Sequence, residues 1–323
     1  MIKKSCYTCG SFSVIKWGFQ NGKQRFLCKD CGQLYTWRNE SKHFDQLFTW
    51  FEQWVFGKQT LDQVAKRSKY CKRQLQRIFN HYLESPPVFI IPQKERVHII
   101  IDGTYFCNDI CLVVYRNSDI KCTQLYRLTD NEYYEEIRED LENLQALNIQ
   151  IDSITCDGHR SILKAVRKVF KGSIKLQRCL VHIQRMSRIW LTQEPKSTAG
   201  RELLSITQQL HRIETEEDRQ YWLRALYDWD IRHCDFIKET SINPQTGKTW
   251  YTHKMIRRVR HLLISALPDM FHYLEDDKIP KNTNALESFF GHLKDNLSIH
   301  RGLTKKNRKN FIKWYLHLRN KSK

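Results

Sequence analysis

Two aspartates follow apolar runs that are typical of buried β-strands. Asp102 comes directly after Val97–Ile101, and Asp157 comes directly after Ile151–Cys156. A carboxylate at the end of a buried strand is poorly solvated unless it is paired, hydrogen-bonded or bound to metal. If the two strands are neighbours, the carboxylates repel each other, and a divalent cation removes that cost. The pattern therefore predicts a site for Mg2+ or Mn2+ where the two strands end.

A third acid, far along the chain, completes a set that could do phosphoryl-transfer chemistry. Glu287 lies in Asn282–Phe290, where the spacing of apolar residues predicts a helix packed on the sheet. Three carboxylates around two cations can activate a water or a 3′-hydroxyl and stabilise the leaving oxygen of an in-line displacement. A single strand-end aspartate is often only a turn residue or a helix N-cap, so the prediction depends on all three acids.

Two Cys-x-x-Cys pairs near the N-terminus have the spacing of a structural zinc site. Cys6 and Cys9 form the first pair, Cys28 and Cys31 form the second, and a glycine follows each pair. Two such turns supply a tetrahedral set of four thiolates and leave no open position for chemistry. A segment of about 40 residues buries too little surface to fold unaided, so one zinc ion would supply folding energy. A redox pair or unrelated thiols are the alternatives.

The segment between the two cysteine pairs mixes cations with aromatic residues. Lys23 and Arg25 are the cations that we expect on a DNA-contacting face of this zinc ribbon. A solvated hairpin with one or two core aromatics is an equally good interpretation for any single residue.

Residues 41–86 have the pattern of a helix-turn-helix. A helix at Phe44–Phe56 precedes a short helix that Thr60 would N-cap, a turn at Ser68–Cys71 and a recognition helix at Lys72–Leu83. Long basic and amide side chains at the start of such a helix are the types that contact base edges and phosphates. A plain three-helix bundle with a basic surface is the alternative. The side chains predicted to contact DNA are Lys72, Arg73, Gln74, Gln76 and Arg77.

The elements that must position the three acids are predicted from hydrophobic periodicity and turn residues. After the prolines of 86–92 the pattern changes to three strands, a helix, a strand, a helix and a strand, which is the order of an α/β, RNase H-like mixed sheet. Residues 185–275 predict an all-helical insertion with Trp222 and Trp229 in its core. The predicted strands are Arg96–Ile101, Ile110–Tyr115, Cys122–Leu128, Ile151–Cys156 and Ile174–Arg178, and the sheet helices are Asn131–Leu147 and Ser161–Phe170.

The net charge of the chain indicates which class of partner it binds. Across 323 residues the formal net charge is +19, and such a surplus attracts polyanions, nucleic acid first among them. A basic protein without a nucleic-acid partner is the alternative. No segment approaches the ~20 apolar residues of a spanning helix, so no membrane partner is expected. The N-terminus lacks an apolar signal-peptide core, and we expect the 11 cysteines in a reducing, cytoplasmic compartment.

The motifs around the three acids resemble those of one transposase family. Asp102-Gly103-Thr104, Asp157-Gly158 and Asn284–Phe290 are similar to the catalytic blocks of the Mutator-like transposases and their bacterial insertion-sequence relatives. Cys179-Leu180-Val181-His182 is similar to the Cys-x-x-His motif of that family, and the likeness covers residues 96–300. The resemblance implies that Asp102, Asp157 and Glu287 are catalytic acids that bind two Mg2+ or Mn2+ ions.

The role of Cys179 and His182 stays open. The resemblance implies that they support the site or contact transposon DNA beside it. From the residues alone they could be half of a zinc site, but no second pair is evident nearby, so a structural or DNA-contacting pair is the preferred interpretation.

By this resemblance the chain is expected to be a DDE transposase associated with the bacterial nucleoid. It would bind the terminal inverted repeats of an insertion sequence as a homodimer, cleave DNA strands and join them to target DNA. The rivals are a nuclease of the same fold without strand transfer and a catalytically silent DNA-binding regulator. The cations Arg301, Lys305 and Lys306 would hold DNA phosphates or form a solvated face. The predicted domains are a zinc ribbon (1–40), a helix-turn-helix (41–86), a catalytic core (87–184 and 276–300), a helical insertion (185–275) and a basic tail (301–323).

Overall fold

The computed structural model describes residues 5–6, 9–36, 40–92, 96–107 and 109–321, without the side chains of 40–46. Residues 1–4, 7–8 and 37–39 of the predicted ribbon and the last two residues of the predicted tail lie outside this part of the chain. The chain divides into two compact units, Met1–Tyr82 and Leu83–Lys323.

The first unit begins with a small antiparallel sheet. Its order is β1-β2-β3. A two-residue turn, Asn21-Gly22, joins the first two strands with both residues at positive φ, as the right-handed twist of a hairpin requires. Phe26 and two of the cysteines are the buried apolar residues of this region among those described, a core too small to hold the sheet alone. The strands are Val14–Gln20 (β1), Lys23–Cys28 (β2) and Leu34–Thr36 (β3).

Three helices complete the first unit. Thr60 caps the second helix as predicted, and its hydroxyl and the Gln63 side chain form a reciprocal capping box. Phe51, Trp54 and Phe79 pack against one another with ring centroids 5.1–5.9 Å apart. The first and third helices therefore share an aromatic core. They are Glu40–Phe56 (α1), Leu61–Arg67 (α2) and Lys72–Glu84 (α3).

The second unit is built on a mixed five-stranded sheet of order β6-β5-β4-β7-β8. The first three strands of the unit pair antiparallel, whereas β7 runs parallel to both β4 and β8. The predicted succession of strands and helices in an α/β unit is confirmed. The strands are Arg96–Phe106 (β4), Ile110–Asn117 (β5), Cys122–Thr129 (β6), Gln150–Cys156 (β7) and Lys175–Arg178 (β8).

Helices cover both faces of this sheet. Tyr134–Ala146 (α4) and Arg160–Phe170 (α5) pack on the face that carries Val97, Ile99 and Ile101. Because successive side chains of a strand point to opposite faces, Asp102 belongs to the other face. There Asn284–Ser298 (α10) contacts β4, and Lys305–Lys321 (α11) contacts β6.

The region between sheet and α10 is mainly helical, around its own apolar core. The indole N–H groups of Trp222 and Trp229 donate to the carbonyls of Ile206 and Ala199 at 2.8 and 2.9 Å. Both rings are fully buried, so the prediction that they belong to the core is confirmed. The helices are Leu180–Leu191 (α6), Thr198–Gln209 (α7), Glu216–His233 (α8) and Lys254–Ala266 (α9).

Two predictions about this unit were wrong. The insertion is not all helical, because Thr240–Ile242 (β9) and Thr249–Tyr251 (β10) form a hairpin that turns at residues 243–248. β-branched and aromatic residues favour strands there. Residues 305–321 are not an open basic tail, because α11 buries residues such as Phe311 and Leu316. No helix of the described residues is long and apolar enough to cross a membrane.

Candidate active site and zinc site

The four cysteines of the two Cys-x-x-Cys pairs converge in the first unit. All four sulfurs lie within 4.8 Å of one another. The Sγ–Sγ distances are 3.6 Å for Cys6–Cys31 and for Cys9–Cys28, far longer than the ~2.05 Å of a disulfide. A tetrahedron with Zn–S bonds of ~2.3 Å has edges of about 3.8 Å. The cluster could therefore bind zinc without rearrangement.

The electrostatics of this cluster also point to a cation. A backbone hydrogen bond from Ser11 favours the Cys9 thiolate, but the neighbouring thiols and desolvation outweigh it and raise the pKa of Cys9 to about 12. Four thiolates at such spacing repel one another unless a positive ion lies between them. The group has the donor chemistry of a closed structural site.

The cations predicted to contact DNA in this unit lie at its surface. Lys23 is exposed and Arg25 is half-buried. All five predicted side chains of α3 are exposed, whereas Leu75 and Phe79 of the same helix are buried. Lys72 already donates to Asp62 at 2.9 Å, an exposed ion pair that a phosphate can displace at little cost. The exposed residues of α3 are Lys72, Arg73, Gln74, Gln76 and Arg77.

Asp102 lies inside β4 and not at its end. The strand continues to Phe106, so the prediction of a strand-end aspartate was wrong for this residue. The parallel pairing of Ile101 with Cys156 places Asp102 level with Asp157, the first residue after β7. Asp102 Oδ1 accepts the Gly103 amide at 2.9 Å, and Asp157 Oδ1 accepts the His159 amide at 2.7 Å. The two aspartates therefore lie level with each other, Asp102 within β4 and Asp157 just after the adjacent strand β7.

The protonation of Asp102 reflects its acidic surroundings. Burial first, then the charge of Asp157, raise the pKa of Asp102 to about 7, although His182 and the Gly103 amide oppose the shift. Glu132 adds a smaller contribution in the same direction. A divalent cation between these groups would relieve the repulsion.

Three contacts bring the distant helix α10 to this end of the sheet. The Thr155 hydroxyl in β7 donates to the Pro280 carbonyl at 2.8 Å, and the Leu180 amide of α6 donates to the Lys281 carbonyl at 3.1 Å. The Thr283 amide then donates to Cys179 Sγ at 3.3 Å. These bonds fix the chain just before α10, and Glu287 follows in its first turn.

The buried Cys179 and the half-buried His182 form a pair beside Glu287. The thiol lies 3.3 Å from His182 Nδ1 and accepts from Thr283. Burial opposes ionisation of both, but their mutual hydrogen bond, together with Thr283 for the thiol and nearby negative charges for the imidazole, lowers the pKa of Cys179 and raises that of His182. The pair is thus disposed towards thiolate and imidazolium, with His182 Nε2 3.7 Å from Glu287 Oε1.

Two charge-assisted hydrogen bonds join Arg185 to Glu287. The guanidinium donates to both carboxylate oxygens, at 3.0 and 2.9 Å. Among the described residues, no three of the acids Asp102, Asp157 and Glu287 and their neighbours lie within 4.8 Å of one another. The structure therefore sets Asp102 beside Asp157 and links Glu287 to them through His182, while Arg185 neutralises the Glu287 charge.

Sequence reasoning missed several residues of this site. Arg178 ends β8, is buried, and packs its guanidinium against Gly158, where any Cβ would collide with it. Arg185 could have been found, since it lies one helical turn after His182 on the same face. Glu132, His159 and Thr283 gave no signal, because each reaches the site from a loop or a turn whose position depends on tertiary packing.

The C-terminal cations predicted to hold DNA follow the three acids in the sequence and belong to the second unit. Arg301, Lys305 and Lys306 are exposed. Lys305 Nζ lies 3.7 Å from Asp130 Oδ1 in a solvent-exposed ion pair, which contributes little to stability. These side chains are free to contact a polyanion.

Comparisons with known proteins give weak similarities. No protein-family model and no curated protein matches the chain. Among solved structures it is similar to the HTLV-2 integrase catalytic core domain in complex with magnesium, with 14% identity over 53% of this chain and 99% of that one, and a TM-score of 0.22. It is also similar to a chain of the simian T-cell lymphotropic virus intasome in complex with the PP2A regulatory subunit B56 gamma, with 12% identity over 58% of this chain and 64% of that one, and a TM-score of 0.20. At such scores neither similarity carries weight in assigning this chain a function.

Proposed function

We propose that this protein is a metal-dependent DNA strand-cleaving and strand-joining enzyme, a DDE transposase of the Mutator-like kind. One observation carries the proposal. The strand pairing sets Asp102 level with Asp157, which follows β7, and the chain just before α10, the helix that carries Glu287, is bonded to β7 and α6. The sheet order, with its antiparallel and parallel pairs, is also the order that we expect of an RNase H-like core.

The residues present suit divalent cations. Asp102 is a desolvated carboxylate next to another acid, and hard oxygen ligands of this kind are those that Mg2+ and Mn2+ prefer. Asp102, Asp157 and Glu287 would hold the ions. Glu287 could do so only after Arg185 releases its carboxylate. Bound there, two such ions would activate the attacking oxygen and stabilise the leaving oxygen of a phosphodiester.

The remaining residues of the site would position groups and protons. The thiol of Cys179 and the hydroxyl of Thr283 fix the His182 ring, so its Nε2 keeps a proton close to Glu287. Arg185, once it leaves Glu287, is exposed enough to donate to a DNA phosphate. Together these residues would orient the third acid and a strand of DNA.

DNA binding would come from the rest of the positive charge. A zinc-stabilised ribbon, with Lys23 and Arg25, and the exposed face of α3 would bind the terminal repeats, and Arg301, Lys305 and Lys306 would hold DNA near the acids. Dimerisation on paired ends and a cytoplasmic location belong to the same proposal.

The test is cleavage of DNA that carries the inverted-repeat ends flanking the coding sequence, with Mg2+ or Mn2+ and the full chain. We expect Asp102→Asn, Asp157→Asn and Glu287→Gln each to reduce cleavage about a thousandfold, because the ions supply several kcal/mol to the transition state. Asp152→Asn, in the strand that precedes Asp157 but paired with Arg96 near the strand start, is the matched control.

Two outcomes would replace the proposal by a rival. Cleavage without joining of the freed 3′-hydroxyl to target DNA would indicate a nuclease. Binding of the ends without any metal-dependent cleavage by the wild-type protein would indicate a regulator.

A further inference from the structure

A fourth acid reaches the site from the loop that precedes α4. Glu132 has a side chain only 9% exposed, although it belongs to no strand or helix. A carboxylate that is nine-tenths buried costs several kcal/mol unless a partner compensates it. The position of Glu132 therefore needs a physical explanation.

The space that Glu132 occupies exists because residue 103 is glycine. A Cβ built on Gly103 would collide with the Glu132 carboxylate. Gly103 directly follows Asp102 in β4, so the fold brings the Glu132 carboxylate against the backbone at the point where Asp102 and Asp157 stand. No side chain other than hydrogen fits between the strand and this acid.

The carboxylate of Glu132 has one oxygen with a single charged contact. This oxygen, Oε2, is shielded from solvent and makes no hydrogen bond to any described residue. The half-exposed ring of His159 lies against it, with Nδ1 3.2 Å from Oε2, in a contact that is an ion pair only when the imidazole is protonated. The same His159 donates its amide to Asp157, so Glu132 and Asp157 flank one residue. The remaining charged neighbours, Asp157 and Asp102, are acids that repel it.

We propose that Glu132 is a fourth acid of the metal site and binds the divalent cation held by Asp102 and Asp157, through Oε2 or through one of the water molecules of the ion. This rests on the proposed function, since it assigns a further residue to the same site. A cation would give the shielded Oε2, which makes no hydrogen bond, a ligand contact besides His159 and would offset the repulsion among three acids. His159 would cover the outer side of the carboxylate.

The test is Mn2+ binding to the full, zinc-loaded chain, measured by electron paramagnetic resonance without DNA. We expect Glu132→Gln to weaken Mn2+ affinity about 10- to 100-fold, the range for partners that orient or complete a metal site. We also expect its melting temperature without added cation to equal or exceed that of the wild type, because a buried charge is removed. Glu135→Gln is the matched control, since it makes the same change at an exposed position of α4.

The outcomes separate this inference from the proposed function. Mn2+ affinity of Glu132→Gln within about twofold of the Glu135→Gln control would overturn the role of Glu132. Asp102→Asn is measured alongside: if Asp102→Asn abolishes binding and Glu132→Gln does not, only the fourth acid is lost. If neither substitution affects Mn2+ binding, both the role of Glu132 and the proposed function are overturned. Should Glu132→Gln not fold, Glu132→Asp keeps the charge on a shorter side chain, and wild-type Mn2+ affinity in that variant would overturn the inference.

Discussion

Glu287 and Asp102 stand in opposite electrostatic surroundings. Glu287 is held by the Arg185 guanidinium and lies near the His182 imidazole, whereas Asp102 is buried among acids. Without a cation, the first acid is compensated and the second is not. A cation that enters beside Asp102 and Asp157 must therefore compete with Arg185 for Glu287.

Competition between Arg185 and a cation gives a prediction at this scale. We expect Arg185→Gln to tighten Mn2+ binding in the absence of DNA by about 2- to 5-fold, since a half-exposed ion pair contributes about 0.5–1 kcal/mol. Titration calorimetry measures the change. Arg188→Gln, on the same helix and exposed, should leave the affinity unaltered. Weaker Mn2+ binding in Arg185→Gln would show that Arg185 supports the metal site and does not compete with it.

The raised pKa of Asp102 gives a second prediction. Its folded pKa of about 7 lies above the ~3.9 of an unfolded aspartate. The folded state therefore keeps a proton that the unfolded chain loses, so the stability contributed by this group is complete below about pH 4 and is lost as the pH rises towards 7. We expect Asp102→Asn to be more stable than the wild type at pH 8, without added divalent cation, by on the order of 3 kcal/mol.

Urea unfolding at several pH values measures this difference. At pH 4 the variant and the wild type should have similar free energies of unfolding, and Mg2+ should reduce the gap at pH 8. Asp228→Asn, at an exposed position of α8, controls for the loss of one charge. A gap between Asp102→Asn and the wild type that does not change with pH would contradict the prediction.

At the scale of elements, the sequence predicted what depends on local pattern. The alternation and length of the apolar runs located β4 to β8 and the helices between them, because each of these elements buries a face of regular period. The pattern did not predict that β4 passes through Asp102, since Gly103 interrupts the apolar run and resembles a strand end. It also did not predict α11. The many cations of this segment indicated a solvated tail, although residues such as Phe311 are buried at helical spacing.

The site itself was predicted only as far as its motif residues. Asp102, Asp157 and Glu287 stood out by type and neighbourhood. Arg178 and Glu132 did not, because their importance arises from contacts with Gly158 and Gly103 that only the folded chain makes. Tertiary packing, and not local propensity, decides which charges face the acids.

A buried polar network ties helix α4 to the sheet. Asp140 is almost fully buried. Its carboxylate accepts hydrogen bonds from the Tyr115 hydroxyl at 3.0 Å and from the Arg127 guanidinium at 2.6 and 2.9 Å. We expect Asp140→Ala to destabilise the second unit by about 3–5 kcal/mol, because it removes the buried partner of the Arg127 charge and leaves the buried Tyr115 hydroxyl without its acceptor. Denaturant unfolding measures the loss.

Glu139 provides the control for this network. It contacts the same Arg127 at 2.8 Å but is exposed, and such pairs contribute about 0–1 kcal/mol. Equal losses in Glu139→Ala and Asp140→Ala would mean that the total charge near Arg127, and not burial, stabilises the contact between α4 and the sheet.

At the scale of the molecule, the two units have different sources of stability. The second unit has large apolar cores, whereas the buried apolar residues described around β1 to β3 are Phe26 and two cysteines. We expect a zinc chelator or Cys28→Ser to abolish amide protection in residues 9–36 and to leave the sheet of the second unit protected, because the metal supplies the folding energy of the ribbon. Hydrogen exchange by mass spectrometry measures both. Retained protection in β1 to β3 would rule out a metal-dependent ribbon.

The net charge of +19 gives the last prediction, which concerns how the molecule holds DNA. Each phosphate contact releases counterions, so the logarithm of the affinity falls linearly with the logarithm of the salt concentration, by about 0.9 per contact. Arg73 and Arg77 are exposed one helical turn apart on α3. If both contact phosphates, Arg73→Gln and Arg77→Gln should each reduce that slope by about 1 and weaken binding to all duplexes alike. If either arginine reads a base instead, its loss should relax sequence preference and leave the slope nearly unchanged.

Fluorescence anisotropy at several salt concentrations distinguishes phosphate contact from base reading. Lys168→Gln, at an exposed position of α5, is the control that removes the same charge. Slopes equal to that of the control, with unchanged sequence preference, would remove α3 from the DNA interface and leave the positive charge of the second unit to bind DNA.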